Sequence, residues 1–344
     1  MKVLVTGAAG FIGAALVKAL VGKGVETVGI DNLNSYYDPV LKYDRLADAG
    51  IMQAAGSGCG MVKSVKSPLY RFMKMELADR AGMDALFASE GFDAVVNLAG
   101  QAGVRYSVEN PFAYVESNVI GFLNVLENCR HHPVRHLVYA SSSSVYGMGS
   151  QVPYTETDKT DKPVSLYAAT KKSDELMAYS YSKLYGIPAT GLRFFTVYGP
   201  WGRPDMAPFI FMKSILEGRP IHVFNHGNME RDFTYIDDVV AGIQLLLGHP
   251  PVEAVPHRIY NVGHSAPVAL MDFIKTIEAE TGCKAVVEME DMQPGDVSRT
   301  YADISRLRHD FGFFPRVSVS QGIHSFYGWY RSYVERRPGF QAAL

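Results

Sequence analysis

Gly7-Ala8-Ala9-Gly10-Phe11-Ile12-Gly13 is the stretch on which the fold turns. It follows the apolar run Val3–Val5, which predicts a strand, and leads into Ile12–Val21, whose spacing predicts a helix. Glycines at such a junction permit a tight turn and let backbone N–H groups approach a pyrophosphate. The phosphate then rests at a helix N-terminus, where unpaired donors and the dipole favour an anion. The spacing is G-x-x-G-x-x-G. Thr27–Ile30 predicts a second strand, and Asp31 ends it eighteen positions past Gly13. An acid placed there accepts hydrogen bonds from the ribose hydroxyls of a dinucleotide. Asp31 also repels a 2′-phosphate, and no Arg follows it directly, so the reading is NAD rather than NADP.

The same alternation continues outward. Met83–Ala88 predicts a helix, Ala94–Leu98 a strand and His136–Ala140 another strand. Phe112–Cys129 predicts one longer helix, with Phe112, Val115, Val119, Phe122 and Leu126 on a single buried face. Repeated strand–helix units of this length predict an α/β fold, a Rossmann-type doubly wound parallel sheet. Between Ala49 and Ser67 the pattern lapses; Gly50, Gly56, Gly58 and Gly60 predict a loop insertion. After about Pro188, Pro and Gly become frequent, which predicts a smaller mixed α/β substrate lobe. The expected division is residues 1–187 for the nucleotide-binding half and 188–344 for the smaller lobe. Tyr235–Leu247 reads as strand then helix, so part of 235–265 is expected to return to the first half.

Bulk properties narrow the partners. The 344 residues carry 33 Lys+Arg against 35 Asp+Glu, a formal charge of -2, so no basic excess points to nucleic acid or an anionic membrane. An anionic ligand needs a local cluster. The three cysteines, Cys59, Cys129 and Cys283, have neither disulfide nor metal-ligand spacing, which fits a reducing, cytoplasmic setting. No apolar run approaches a membrane span, and Met1-Lys2 leads straight into a strand with no signal peptide expected. His131-His132 has no partner at ligand spacing, so no metal is expected; a cation at a helix C-terminus is the reading.

Two further segments carry chemistry. Tyr167 and Lys171 stand four apart, on one face of a helix. A phenol is a poor base at neutral pH, and both a nearby ammonium and a positive nicotinamide favour its phenolate. Ser141-Ser142-Ser143-Ser144-Val145-Tyr146-Gly147 follows the strand His136–Ala140, and hydroxyls at such a strand end can bond a reacting substrate oxygen.

With Gly7, Gly10, Gly13, Ser142, Tyr167 and Lys171 at these positions, the chain resembles the extended short-chain dehydrogenase/reductases over nearly its whole length. Within them it resembles the UDP-glucuronate 4-epimerases. The resemblance rests on Gln101–Ser107, Ser141–Gly147, Ser165–Lys172, Gly191–Met206 and Arg231–Asp238. It implies that Tyr167 takes the C4 hydroxyl proton while a tightly held NAD takes the hydride. Lys171 would hold the nicotinamide ribose, and Ser142 would bond the C4 oxygen beside Ser143 and Ser144. It further implies NAD contacts from Phe11, Ile12, Asn32, Leu77, Leu98, Ala99, Gln101, Asn118 and Phe194. Arg231 and Arg299 would grip the diphosphate. Thr196 and Arg203 would hold the sugar carboxylate, for which a planar Arg fork is suited. That grip matters because a 4-keto glucuronate is a β-keto acid, prone to lose CO₂ when the breaking bond aligns with the carbonyl.

Sister activities read less well. The 4,6-dehydratases usually carry an Asp-Glu pair where Ser143-Ser144 stand, and the UDP-glucuronate decarboxylases usually carry Glu where Ser144 stands. UDP-galactose epimerases tend to have Asn where Thr196 stands and lack the Trp201-Gly202-Arg203-Pro204 stretch. A non-catalytic NAD-sensing protein would be expected to lose the Tyr/Lys pair. Two positions depart from the family: Glu76 where Asp is commoner, and Asn97 where His is commoner. Phe112–Cys129 and Ser165–Tyr185 are the segments expected to pair across a homodimer axis.

Overall fold

The computed structural model describes residues 1–52, 60–148, 151–293 and 295–337; Gly56, Gly58 and Cys59 of the expected loop lie outside the described residues. The first half supplies strands β1 (Lys2–Thr6), β2 (Glu26–Asp31), β3 (Val62–Lys63), β4 (Tyr70–Lys74), β5 (Ala94–Asn97), β6 (His136–Ser142) and β7 (Ala189–Phe194). After them come β8 (Thr196–Tyr198), β9 (Pro220–Val223), β10 (Glu230–Arg231) and β11 (Phe233–Tyr235). The last strands are β12 (His257–Val262), β13 (Val268–Ala269) and β14 (Val286–Met289). One large sheet runs β12-β7-β6-β5-β1-β2-β4-β3. Its pairings are parallel except β3 against β4. The sequence reading of a doubly wound sheet therefore holds, with an antiparallel edge strand inside the segment expected to be loop.

The sheet is covered on both faces. Val3 and Val5 of β1 pack into one layer with Leu16 and Leu20 of helix Phe11–Gly22 and Val239 and Ile243 of helix Ile236–Leu247. Leu4 points the other way, into a layer holding Leu86, Phe122, Leu126 and Leu137. This is the period-2 alternation of a strand, with both faces apolar because helices lie on both sides. β7 begins past the expected boundary at residue 187, yet it pairs with β6 and β12 inside the large sheet. The remainder forms three two-stranded sheets, β10-β13, β11-β8 and β14-β9. These short strands lie outside the large sheet.

The single helix expected over Phe112–Cys129 is three pieces. Pro111–Tyr114 is α-helical, Val115–Ile120 is wound as a π-helix, and Gly121–His131 is α-helical again. An extra residue in the turn rotates the face that follows. Phe122 and Leu126 are buried as expected, but Phe112 is 82 % exposed and Val115 is also exposed. The bulge turns Asn118 inward, where it is 1 % exposed and hydrogen-bonded on every side.

Candidate active site

Strand order reverses at β1: the chain passes to β2 and β4 on one side and to β5, β6 and β7 on the other. Such a switch point leaves a crevice beyond the carboxyl ends of the strands. A cleft of about 630 Å³ opens there.

The glycine loop forms its floor. Gly7 has φ +69°, and a Cβ on it would stand 2.8 Å from the Ala99 nitrogen; a Cβ on Gly13 would stand 2.1 Å from the Gly7 oxygen. No other residue fits so close an approach of backbone to backbone. Thr6 fixes the neighbouring strand end, donating its hydroxyl to Asn97 Oδ1 at 2.7 Å and accepting the Ala99 N–H at 3.0 Å. That is the part the family departure Asn97 plays here. Gly7, Gly10, Phe11, Ile12 and Gly13 all line the cleft, as do Asp31, Asn32, Leu77, Leu98, Ala99 and Gln101.

Asp31 is tied down before any ligand arrives. Its carboxylate accepts the Ala9 N–H at 3.2 Å and the Leu33 N–H at 2.8 Å. Lys42, which no sequence motif singles out, brings its ammonium 3.9 Å from Asp31 and donates to Asn34 Oδ1 at 2.7 Å. Asn32 donates to Glu76 Oε2 at 3.0 Å, so the longer acid at position 76 faces the same cleft. Asn118 differs from expectation: it does not line the cleft. Its amide donates to the Gln101 carbonyl and to Thr170 Oγ1, both at 3.0 Å, and accepts the Gln101 N–H at 2.7 Å. It shapes the wall from behind.

Tyr167 and Lys171 open helix Leu166–Tyr185, which Ser165 caps through the Ala168 N–H at 3.1 Å. The helix start is thereby fixed at the mouth of the cleft, and both side chains line it. The Tyr114 ring stands edge-on to Tyr167 at 6.0 Å. Lys171 donates to the Ala140 carbonyl of β6 at 3.1 Å and to Asp174 Oδ2 at 3.1 Å. Ser142 ends β6 with its hydroxyl 3.2 Å from Ser144 Oγ and accepting the Ser144 N–H at 3.2 Å. Ser142, Ser143 and Ser144 line the cleft beside Phe194 and Thr196.

Helix and strands are locked together underneath. Glu175 takes Arg193 of β7 in a two-point grip, Nε to Oε1 at 2.8 Å and Nη2 to Oε2 at 2.9 Å, and also accepts the Ser141 hydroxyl at 2.7 Å. Burial opposes the Glu175 charge, but Arg193 outweighs it and holds the carboxyl below its usual range. The helix carrying Tyr167 is thus registered against β7 by a buried, hydrogen-bonded charge pair, and against β6, the strand carrying Ser142, by the Ser141 hydroxyl.

Arg203 faces the cleft from the smaller lobe. Its Nε donates to Asp205 Oδ1 at 3.0 Å, its Nη2 to Asp205 Oδ2, and Tyr36 donates to the same carboxylate at 3.0 Å. Burial and the adjacent Asp205 push the Tyr36 phenol up to about 12, so it stays a donor. Burial opposes the Asp205 charge as well, yet Arg203 holds it ionised below the usual carboxylate range. The loop bearing Arg203 is anchored by Arg45, which donates to the Trp201 carbonyl at 2.7 Å, to the Ala9 carbonyl at 3.0 Å and to Tyr37 at 2.7 Å. Trp201 adopts φ +65°, a left-handed conformation rare for a bulky residue and found where a site demands it. One buried guanidinium therefore fixes the glycine loop and the Arg203 loop together.

Arg231 and Arg299 are not among the cleft's lining. They stand on neighbouring backbone, Arg299 bridging to Glu230. Arg231 pairs with Asp296 at 2.8 Å and Arg299 with Glu230 at 2.7 Å. Missed by sequence reasoning are Tyr36, Lys42, Tyr114 and Asp205. The first three carry no periodicity or motif, and only the fold brings Tyr36 and Lys42 to the cleft and Tyr114 against Tyr167.

A phenol, an ammonium, a strand-end hydroxyl cluster and a guanidinium thus share one crevice with the glycine loop. Such a set can move a proton at a hydroxyl beside a redox nucleotide while holding an acid group.

Comparison with known proteins agrees. The model of the NAD dependent epimerase/dehydratase family matches residues 3–263. The chain is 45 % identical to protein CapI of Staphylococcus aureus, over 98 % of this chain and all of that one. It is 43 % identical to UDP-glucuronate 4-epimerase 4 of Arabidopsis thaliana, over 97 % of this chain and 76 % of that one. Among solved structures it is similar to the UDP-glucuronic acid 4-epimerase of Bacillus cereus in complex with UDP-glucuronic acid and NAD. There the TM-score is 0.85 at 32 % identity, covering 97 % of this chain and 100 % of that one.

Proposed function

Since this chain belongs to the NAD dependent epimerase/dehydratase family, we propose that it is an isomerase that inverts C4 of UDP-glucuronate, giving UDP-galacturonate with the carboxylate retained. The observation that carries this reading is one cleft lined by the glycine loop, Ser142, Tyr167, Lys171 and Arg203. The relatives named for this reaction and the solved complex with UDP-glucuronic acid and NAD support it.

The residues present fit NAD. Gly7 and Gly13 leave a cradle that a Cβ would fill, and Asp31 is oriented at its end by two N–H groups. Gly10, Phe11, Ile12, Asn32, Leu77, Leu98, Ala99, Gln101 and Phe194 would complete the hold, with Asn118 acting through Gln101. When bound, NAD supplies a reversible acceptor for the C4 hydride. Tyr167 takes the C4 hydroxyl proton and returns it at the end of the cycle. Lys171 stabilises its phenolate and holds the ribose. Ser142 bonds the C4 oxygen. Arg203, with Thr196, Ser143 and Ser144, keeps the carboxylate out of line with the C4 carbonyl, which suppresses loss of CO₂. Arg231 and Arg299 take the diphosphate, exchanging Asp296 and Glu230 for phosphate oxygens. Residues 1–187 with β7 and β12 form the NAD-binding half, and the rest forms the lobe that holds the UDP-sugar.

A second copy of this chain is the partner we propose. Phe112, Val115, Ile120 and Leu123 on one helical segment, with Leu176, Tyr179, Leu184 and Tyr185 on helix Leu166–Tyr185, are exposed. Clustered apolar exposure of this kind marks an interface. The free thiols Cys129 and Cys283 support a reducing, cytoplasmic setting. Among the described residues no helix is long and apolar enough to cross a membrane.

The test is proton NMR of UDP-glucuronate with the purified protein and no added reductant. New UDP-galacturonate signals are expected. A pentose product would make the protein a decarboxylase, and an unchanged spectrum from NAD-loaded protein would refute the reading.

A further inference from the structure

Asp174 is not part of any motif used above, yet it sits against the active-site lysine. It lies one turn after Lys171 on helix Leu166–Tyr185, and its Oδ2 accepts the Lys171 ammonium at 3.1 Å. It is 1 % exposed, and its Oδ1 has no hydrogen-bond partner among the described residues. A buried carboxylate with one oxygen unsatisfied is costly, so its only direct compensation here is Lys171.

The surroundings offer no second cation in contact. On its own helix Asp174 is followed by Glu175, whose charge is taken by Arg193 of β7 and approached by Lys172 at 3.4 Å. From β6 it faces the buried phenol Tyr139, which is bonded to His257 of β12 at 2.8 Å. Ala140 of β6 offers Lys171 a carbonyl, not a charge. Thr170 and Asn118 bond each other nearby and are neutral.

We propose that Asp174 is a positioning residue that sets the pH range of catalysis by partly neutralising Lys171. This rests on the reading of Tyr167 as the base. When Asp174 is ionised, the field of Lys171 at Tyr167 is reduced and the phenolate is less favoured. When Asp174 is neutral, the full ammonium acts. Burial pushes the Asp174 carboxyl up to about 7, against the pull of Lys171, which puts its change of charge near neutral pH. The activity of the protein then varies with pH through two coupled groups rather than one.

The experiment is the pH dependence of kcat for Asp174→Asn beside wild type, with Tyr167→Phe as control. Asn keeps the shape and removes the charge. The acid limb of the Asp174→Asn profile is expected to move to lower pH by roughly 0.5–1 unit, the scale of one charge acting over about two helical turns. An unmoved limb, with Tyr167→Phe inactive, overturns the role of Asp174 and leaves Tyr167 as the base. Near-normal turnover by Tyr167→Phe overturns the base assignment itself and this inference with it. NAD content and thermal unfolding are measured first on Asp174→Asn and on Asp174→Ala. If neither variant yields folded, NAD-bearing protein, Asp174 is a determinant of the fold and the inference falls.

Discussion

Two regions around the same cleft solve the problem of holding charge in opposite ways. Under the large sheet, Glu175 and Arg193 are buried together, each 2 % exposed, and are joined by two hydrogen bonds that hold the helix carrying Tyr167 against β7. In the smaller lobe, Arg203, Arg231 and Arg299 are paired with Asp205, Asp296 and Glu230. The first pair is permanent scaffolding. The second set consists of cations paired with acids, and in the proposed function an anionic ligand replaces those acids. Permanent pairs serve geometry; exchangeable pairs serve binding, because a ligand carboxylate or phosphate finds a fork already oriented.

The sharpest break of that comparison is Tyr167→Phe. It keeps the scaffold and removes the base, so kcat is expected to fall by about 10³-fold or more, while NAD remains bound. Retained turnover would mean the scaffold positions some other group.

Arg193→Met tests the scaffold directly. Leaving buried Glu175 with only Ser141 and the half-buried Lys172 beside it is expected to cost about 3 kcal/mol, read as a lower denaturant midpoint. A loss under 1 kcal/mol would put Glu175 and Arg193 in the exchangeable class.

Acid should act through a buried histidine of the large sheet. His136 is buried between the Leu247 carbonyl and Thr190, and burial pushes it down to about 4. The folded state refuses a proton that the unfolded chain accepts below about 6.5, so stability present above that pH is lost progressively toward pH 4. The expected loss is about 2 kcal/mol by pH 5. His136→Gln should flatten the change in urea midpoint between pH 7 and pH 5; an equally steep change would exclude His136 as its source.

The smallest effects are expected in the exchangeable set. Arg203→Ala should raise KM for UDP-glucuronate about 10–100-fold, or release CO₂ during turnover. Arg231→Ala should raise KM about 5–10-fold with kcat little changed. Unchanged KM in both would remove these arginines from ligand binding.

The sheet half was legible because its signals are local. A glycine loop between strand and helix, Asp31 at the end of β2, and Tyr167 and Lys171 four apart each follow from a short stretch and a known period. Asp205 and Lys42 were not legible, because their roles depend on loops meeting across the fold. The place of Asn118, within the π-turn Val115–Ile120 and bonded to Gln101, was not legible for the same kind of reason.

The sequence by itself determined the alternating strands and helices around the glycine cradle and the spacing of Tyr167 and Lys171, since backbone sterics and side-chain period act over a few residues. Only the tertiary structure decided which acid faces which distant cation: Glu175 with Arg193, Asp31 with Lys42, Asp296 with Arg231. Charge pairing in a buried site depends on distance through space, and along the chain Asp296 and Arg231 are far apart until β10 and the 295–300 segment are brought together.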